Sequence, residues 1–148
     1  MKMRHVLVLA AAVAMAVPAY AHHSFAAEFD ATKPVRLEGK VTRIDWINPH
    51  TYFYIDVADQ SGKVTSWAIE GPSPGALSRR GWKRDDLKVG EMVVVEGYRA
   101  KNGTNLADGR RVRLPDGRWV YGGSPGDGGP GDDGTDHGAL PAMPGPVK

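Results

Sequence analysis

The sequence predicts an all-β protein, a small OB-like barrel of five to six strands with one short helix between the third and fourth. Three features predict it. Short runs with period-2 alternation dominate from Val35 to Tyr121, the first run is long with a glycine inside it, and a capped helical segment follows the third run. A six-stranded antiparallel sandwich is the alternative arrangement of the same elements.

In the first run Val35, Leu37 and Val41 alternate with Arg36, Glu38 and Lys40, as in a strand with one wet face. Gly39 marks a bend or a close backbone approach within it. The phase then slips and Ile44 and Trp46 take over the apolar role, which predicts a bulge near Thr42-Arg43. Such a long bent strand can serve both sheets of an OB-type barrel, and Asn48-Pro49-His50 ends it. Thr51 to Val57 is the second strand, with Phe53, Ile55 and Val57 on one face and Tyr52 and Tyr54 on the other. Asp59-Gln60-Ser61-Gly62 is a hairpin turn, and Val64 to Glu70 is the third strand, with Trp67 and Ile69 to one side. Ser73 as N-cap, Pro74 in the first turn, Leu77 inward and Gly81 past the end define the helix. Met92 to Arg99 and Arg110 to Leu114 are the fourth and fifth strands, with Asn102-Gly103 turning between them. Pro115-Asp116-Gly117 leads into a last short strand, Trp119 to Tyr121.

The flanks have different compositions. Lys2 and Arg4, an apolar run of twelve residues from Val6 to Val17, and Ala19-Tyr20-Ala21 follow one another as in a secretory signal, residues 1–21. The run is too short for a permanent span, so no transmembrane segment is expected once it is removed. Cleavage after Ala21 makes His22 the first residue and places the protein in the periplasm or outside the cell. The barrel domain is then 22–122, and residues 123–148, rich in Gly, Pro and Asp, are expected to be a disordered tail. With no cysteine in the chain, thiol catalysis, thiolate metal sites and disulfides are excluded. Removal of Lys2 and Arg4 lowers the 19 basic residues to 17, against 17 acidic ones. That neutrality argues against nucleic acid as a partner.

The histidines carry the main chemical signal. Four remain after cleavage: His22, His23, His50 and His137. A terminal His22 offers an α-amine and an imidazole that close a chelate ring, with the His23 imidazole beside it. These nitrogen donors suit Cu(II), Ni(II) or Zn(II), with copper preferred. His50, placed by Asn48-Pro49, completes the candidate metal set, with Glu28 or Glu70 as a carboxylate behind it. The plain alternative is a frayed terminus and a turn-capping histidine. Trp46, Tyr52 and Tyr54 form a candidate ligand-binding aromatic face, although the four tryptophans are first of all core material. Gly71-Pro72-Ser73-Pro74-Gly75 matches the nucleophile-elbow pattern, but flanking prolines and a small domain make Ser73 a helix cap. Arg79-Arg80-Gly81-Trp82-Lys83-Arg84 complements a helix end. No nucleophile with a partner and no acid/base pair can be identified. No catalytic residue is assigned and the protein is expected not to be an enzyme.

Four separated segments resemble a known family: His22-His23-Ser24-Phe25-Ala26-Ala27-Glu28-Phe29-Asp30, Trp46-Ile47-Asn48-Pro49-His50, Arg79-Arg80-Gly81-Trp82, and Val95-Glu96-Gly97-Tyr98-Arg99-Ala100. The chain is similar, over roughly residues 21–123, to short exported bacterial proteins catalogued as a domain of unknown function. The resemblance implies a periplasmic small β-barrel and no activity. It also places both histidine segments among the family's motifs, whereas the acidic Gly/Pro tail falls outside them. The expectation is a non-catalytic periplasmic binding or adaptor protein whose partner is an unknown exported protein or small ligand. Transition-metal binding through His22, His23 and His50 is the alternative.

Overall fold

The computed structural model describes residues 24–132. The signal-like segment, His22, His23 and His137 lie outside the described residues. A single helical turn, α1 (Phe25–Glu28), leads into β1 (Phe29–Asp45), β2 (Thr51–Ala58) and β3 (Val64–Gly71). Helix α2 (Pro74–Arg79) and a 3-10 turn (Arg84–Asp86) follow, then β4 (Met92–Ala100), β5 (Leu106–Arg113) and β6 (Trp119–Tyr121).

β1 is 17 residues long because it belongs to both halves of the barrel. Its first part pairs with β4 and its last part with β2, both antiparallel. The register on β2 slips between Val41 and Arg43, so Thr42 is the extra residue of a bulge. Gly39 lies where the strand changes partner: a Cβ there would sit 2.8 Å from the Asp56 carbonyl oxygen, so only glycine admits that approach. β2 pairs with β3 and β4 with β5, antiparallel, and β3 runs parallel to β5. The ring β1-β2-β3-β5-β4 thereby closes, with β6 added on β5. This is OB-type connectivity. The parallel β3–β5 pairing closes the barrel and excludes the antiparallel sandwich.

The interior follows the alternation. Val41, Ile55, Ile69, Val95 and Val112 are 0–1% exposed and form one cluster with Phe53, Leu77, Trp82 and Leu87. α2 covers one end of it. Ser73 caps α2 by accepting the Ala76 N–H (3.3 Å), and Pro74 opens the first turn. Trp82 is buried beside it and donates its indole N–H to the Tyr121 carbonyl (3.1 Å).

Three boundaries depart from the sequence expectation. β1 starts at Phe29, and α1 precedes it. β5 starts at Leu106 instead of Arg110, because Leu106-Ala107-Asp108-Gly109 buries its aspartate outside the main core and its glycine within it. Ordered packing also continues past residue 122, since Gly123, Asp127 and Gly129 are buried against the barrel. The expected disordered tail therefore begins with a packed segment, and residues 133–148 lie outside the described residues. Among the described residues no helix is long and apolar enough to cross a membrane.

Candidate binding site

Residues directly opposite one another on paired strands share a face of the sheet. Four such pairings line up across the outside of the barrel: Tyr52 opposite Glu70, Glu70 opposite Asp108, Asp108 opposite Tyr98, and Tyr98 opposite Pro34. One outer row thus carries Tyr52 (β2), Glu70 (β3), Asp108 (β5) and Tyr98 (β4). It is covered in part by α1, where Phe25, Phe29, Tyr98 and Ala100 form a second, smaller apolar cluster. Phe25 meets Tyr98 edge-on, with ring centroids 5.5 Å apart.

At the β2 end of the row, Glu70 is 6% exposed and both its oxygens are engaged. Oε2 accepts the Tyr52 hydroxyl (2.7 Å), and Oε1 lies 3.3 Å from His50 Nδ1. His50 Nδ1 is also 3.3 Å from the Gly71 carbonyl oxygen. Both of these partners are acceptors, so Nδ1 is the nitrogen that donates, and Nε2 is the one not engaged by Glu70 or Gly71. The His50 side chain is 18% exposed, which leaves it reachable from outside. Burial, then the bond to Glu70, raise the Tyr52 hydroxyl well above its ordinary range, so it remains a donor.

At the β5 end a bulge supplies a charge. Gly97 is opposite Gly109 and Glu96 opposite Arg111, which makes Arg110 the extra residue. Arg110 is 0% exposed. Its Nη2 donates to both oxygens of Asp127 (3.0 and 2.8 Å), and Nη1 donates to the Tyr121 hydroxyl (3.2 Å). Nε lies 2.7 Å from Asp108 Oδ1, an ion pair off the angle of a hydrogen bond. The guanidinium also faces the Phe25 ring at 4.8 Å. Burial pushes the Asp108 carboxyl up to about 8; Arg110 opposes this, while Asp127, Glu70 and Glu28 add to it. Burial works against the Arg110 charge, but Asp108 and Asp127 outweigh it and hold the guanidinium above its ordinary value.

The candidates named from sequence separate into groups. Of the histidines named as metal candidates, His50 lies 3.3 Å from Glu70, while His22 and His23 lie outside the described residues. Among the described residues no group of three metal-ligating side chains comes together. Trp46, Tyr52 and Tyr54 do not make one face. Trp46 packs against the interior cluster and lines an apolar cavity with Phe53, Leu77 and Trp82. Tyr52 is tied to Glu70, and Tyr54 lies under the Arg43 guanidinium at 3.9 Å. From the basic helix end, Arg80 stacks over Tyr121 (4.2 Å) and donates to the Gly123 carbonyl. Asp108, Arg110 and Asp127 were invisible from sequence, since an Arg-Arg pair in an alternating strand resembles a solvated face. The signal that points to Arg110 is the bulge, which needs the register.

A family model described as a family of unknown function, DUF6152, matches residues 10–109. The chain belongs to this family. The DUF6152 match takes in Glu28, His50, Tyr52, Glu70 and Asp108 and stops one residue short of Arg110. The segment carrying Asp127 lies beyond the DUF6152 match. No curated protein and no solved structure matches the chain.

Proposed function

We propose that this DUF6152 protein is an exported, non-catalytic binding protein and that its ligand is a transition-metal ion, copper by preference, held by His50 with the histidines at positions 22 and 23. The observation that carries the proposal is the Nδ1 contact of His50 with buried Glu70 at 3.3 Å. A carboxylate behind one ring nitrogen fixes the tautomer and orients the other nitrogen as a ligand. The remaining donors come from the processed N-terminus. The arm packs on the same outer row at Tyr98, through the Phe25 ring. Export rests on the signal-like first 21 residues.

The metal-free adaptor remains the second reading, an exported protein or small ligand being gripped without an ion. It draws on the aromatic residues, but Trp46 is turned to the interior cluster while Tyr52 and Tyr54 already have polar partners.

Thermal unfolding of the processed protein with a panel of divalent ions separates the two. Mass spectrometry first confirms His22 as the initial residue. Cu(II) at about a hundredfold over its dissociation constant would add roughly 2.7 kcal/mol of stability. Glu70→Gln should keep the fold and lose most of this gain, because the amide no longer orients His50 as a carboxylate does. Equal stabilisation of both proteins would contradict the role of Glu70, and no stabilisation by any ion would leave the adaptor.

A further inference from the structure

The start of the glycine-rich tail is shaped around one side chain. A Cβ at Gly123 or at Gly129 would run into the Arg110 guanidinium, so both positions need glycine for space. Asp127, between them, supplies the two carboxylate oxygens that Arg110 Nη2 holds. The loop is closed on itself by Asp132, whose oxygens accept the Gly126 and Gly128 N–H groups (3.0 and 2.8 Å). It is also joined to the other end of the described chain: the Phe25 N–H donates to the Asp127 carbonyl (2.9 Å), and the Phe25 ring lies on the same guanidinium. The arm has a second tie, to the β4–β5 turn, where the Lys101 N–H donates to the Glu28 carbonyl (2.9 Å) and Lys101 Nζ to the Ala26 carbonyl (2.5 Å).

We infer that residues 123–132 are a strap that clamps the N-terminal arm onto the His50 face of the barrel, with Arg110 and Asp127 as positioning residues for the arm. A buried guanidinium is costly without its counter-charges, so Arg110 holds the strap only while Asp127 is in place. With the strap in place, Phe25 has both a backbone partner and a ring partner. Without it, Phe25 loses its hydrogen bond to Asp127 and the guanidinium it covers loses its second carboxylate. The arm and the strap therefore open as one unit, apart from the barrel core. The functional consequence rests on the metal reading: a loosened arm presents its donors to His50 less often, which weakens the ion. The clamp itself does not depend on that reading.

Amide hydrogen exchange on the full processed chain tests the clamp, with Asp127→Asn and Gly129→Ala as variants and Asp116→Asn, in the exposed β5–β6 turn, as control. Exchange at Phe25 should quicken by about tenfold or more in both strap variants, with Ile55 and Val95 unchanged and the control like the parent. Exchange at Phe25 indifferent to both variants would overturn the clamp. If a variant unfolds, the unaltered protein still decides: its Phe25 and Gly129 amides should open at matching rates, and clearly different rates would overturn it. Cu(II) affinity reports separately on positioning. A tenfold loss in Asp127→Asn supports it, while unchanged affinity beside a loosened arm would overturn the positioning role. If the parent protein binds no copper, the metal reading fails, and the clamp is then judged on exchange alone.

Discussion

Around Arg110 the charges do not balance: Asp108 and Asp127 touch the guanidinium, and Glu70 and Glu28 act on Asp108 as well. The Tyr52, Tyr98 and Tyr121 hydroxyls, all raised by burial, add no charge, and His50 faces this group through Glu70. Burial outweighs the guanidinium at Asp108 and moves its carboxyl from 3.8 to about 8, while Asp127 takes the hydrogen bonds of Nη2. A carboxyl raised in the folded state stabilises most fully below its unfolded value, and that contribution is lost as pH rises through the folded one. Stability should therefore fall as pH rises from about 4 to about 8, by an amount on the order of a few kcal/mol, and the thermal midpoint should drop with it. Asp108→Asn, which resembles the protonated form, should flatten this slope; parallel curves for the two proteins would contradict it. At this scale the sequence was legible where a residue type is scarce. His50 stands out, and Glu70 is one of two carboxylates expected behind it. Arg110 does not stand out, because burial of an arginine depends on partners from α1, β6 and the strap that are distant in sequence.

At the scale of elements, local chemistry was the better guide. The bulge at Thr42 follows from the phase slip between Val41 and Ile44, and α2 follows from Ser73, Pro74 and Gly81. Ser73→Ala should cost about 1 kcal/mol in urea-induced unfolding, since one N–H at the α2 start loses its acceptor. A cost near zero would mean that this cap contributes nothing in water. The same variant should leave any esterase background unchanged, because Ser73 serves the helix end. β5 was half missed for a physical reason. Alternation announces a strand when one face is wet, but Asp108 is covered on the outer face and Gly109 packs against Ile69 on the inner one, where a Cβ would lie 2.7 Å from its Cγ2. α1 is one turn long, and its place depends on packing against Tyr98 and Ala100 rather than on propensity.

At the scale of the molecule, strand order and the position of the helix were enough to anticipate an OB-like barrel, and the parallel β3–β5 contact completes it. What sequence did not disclose is that both ends of the described chain meet on one outer face. Composition presents residues 123–132 as a linker, since glycines chosen to make room for a guanidinium look the same as glycines chosen for flexibility. The barrel sets His50, Glu70, Asp108 and Arg110 along adjacent strands, and the arm and strap cover the far end of that row. The central claim is that the near end, at His50, binds a metal with the processed N-terminus. Its most direct test is calorimetric titration of Cu(II) into the processed protein, beside His50→Ala and a form with one extra alanine before His22. The account predicts one-to-one binding that both changes weaken. Weak binding indifferent to both would contradict it.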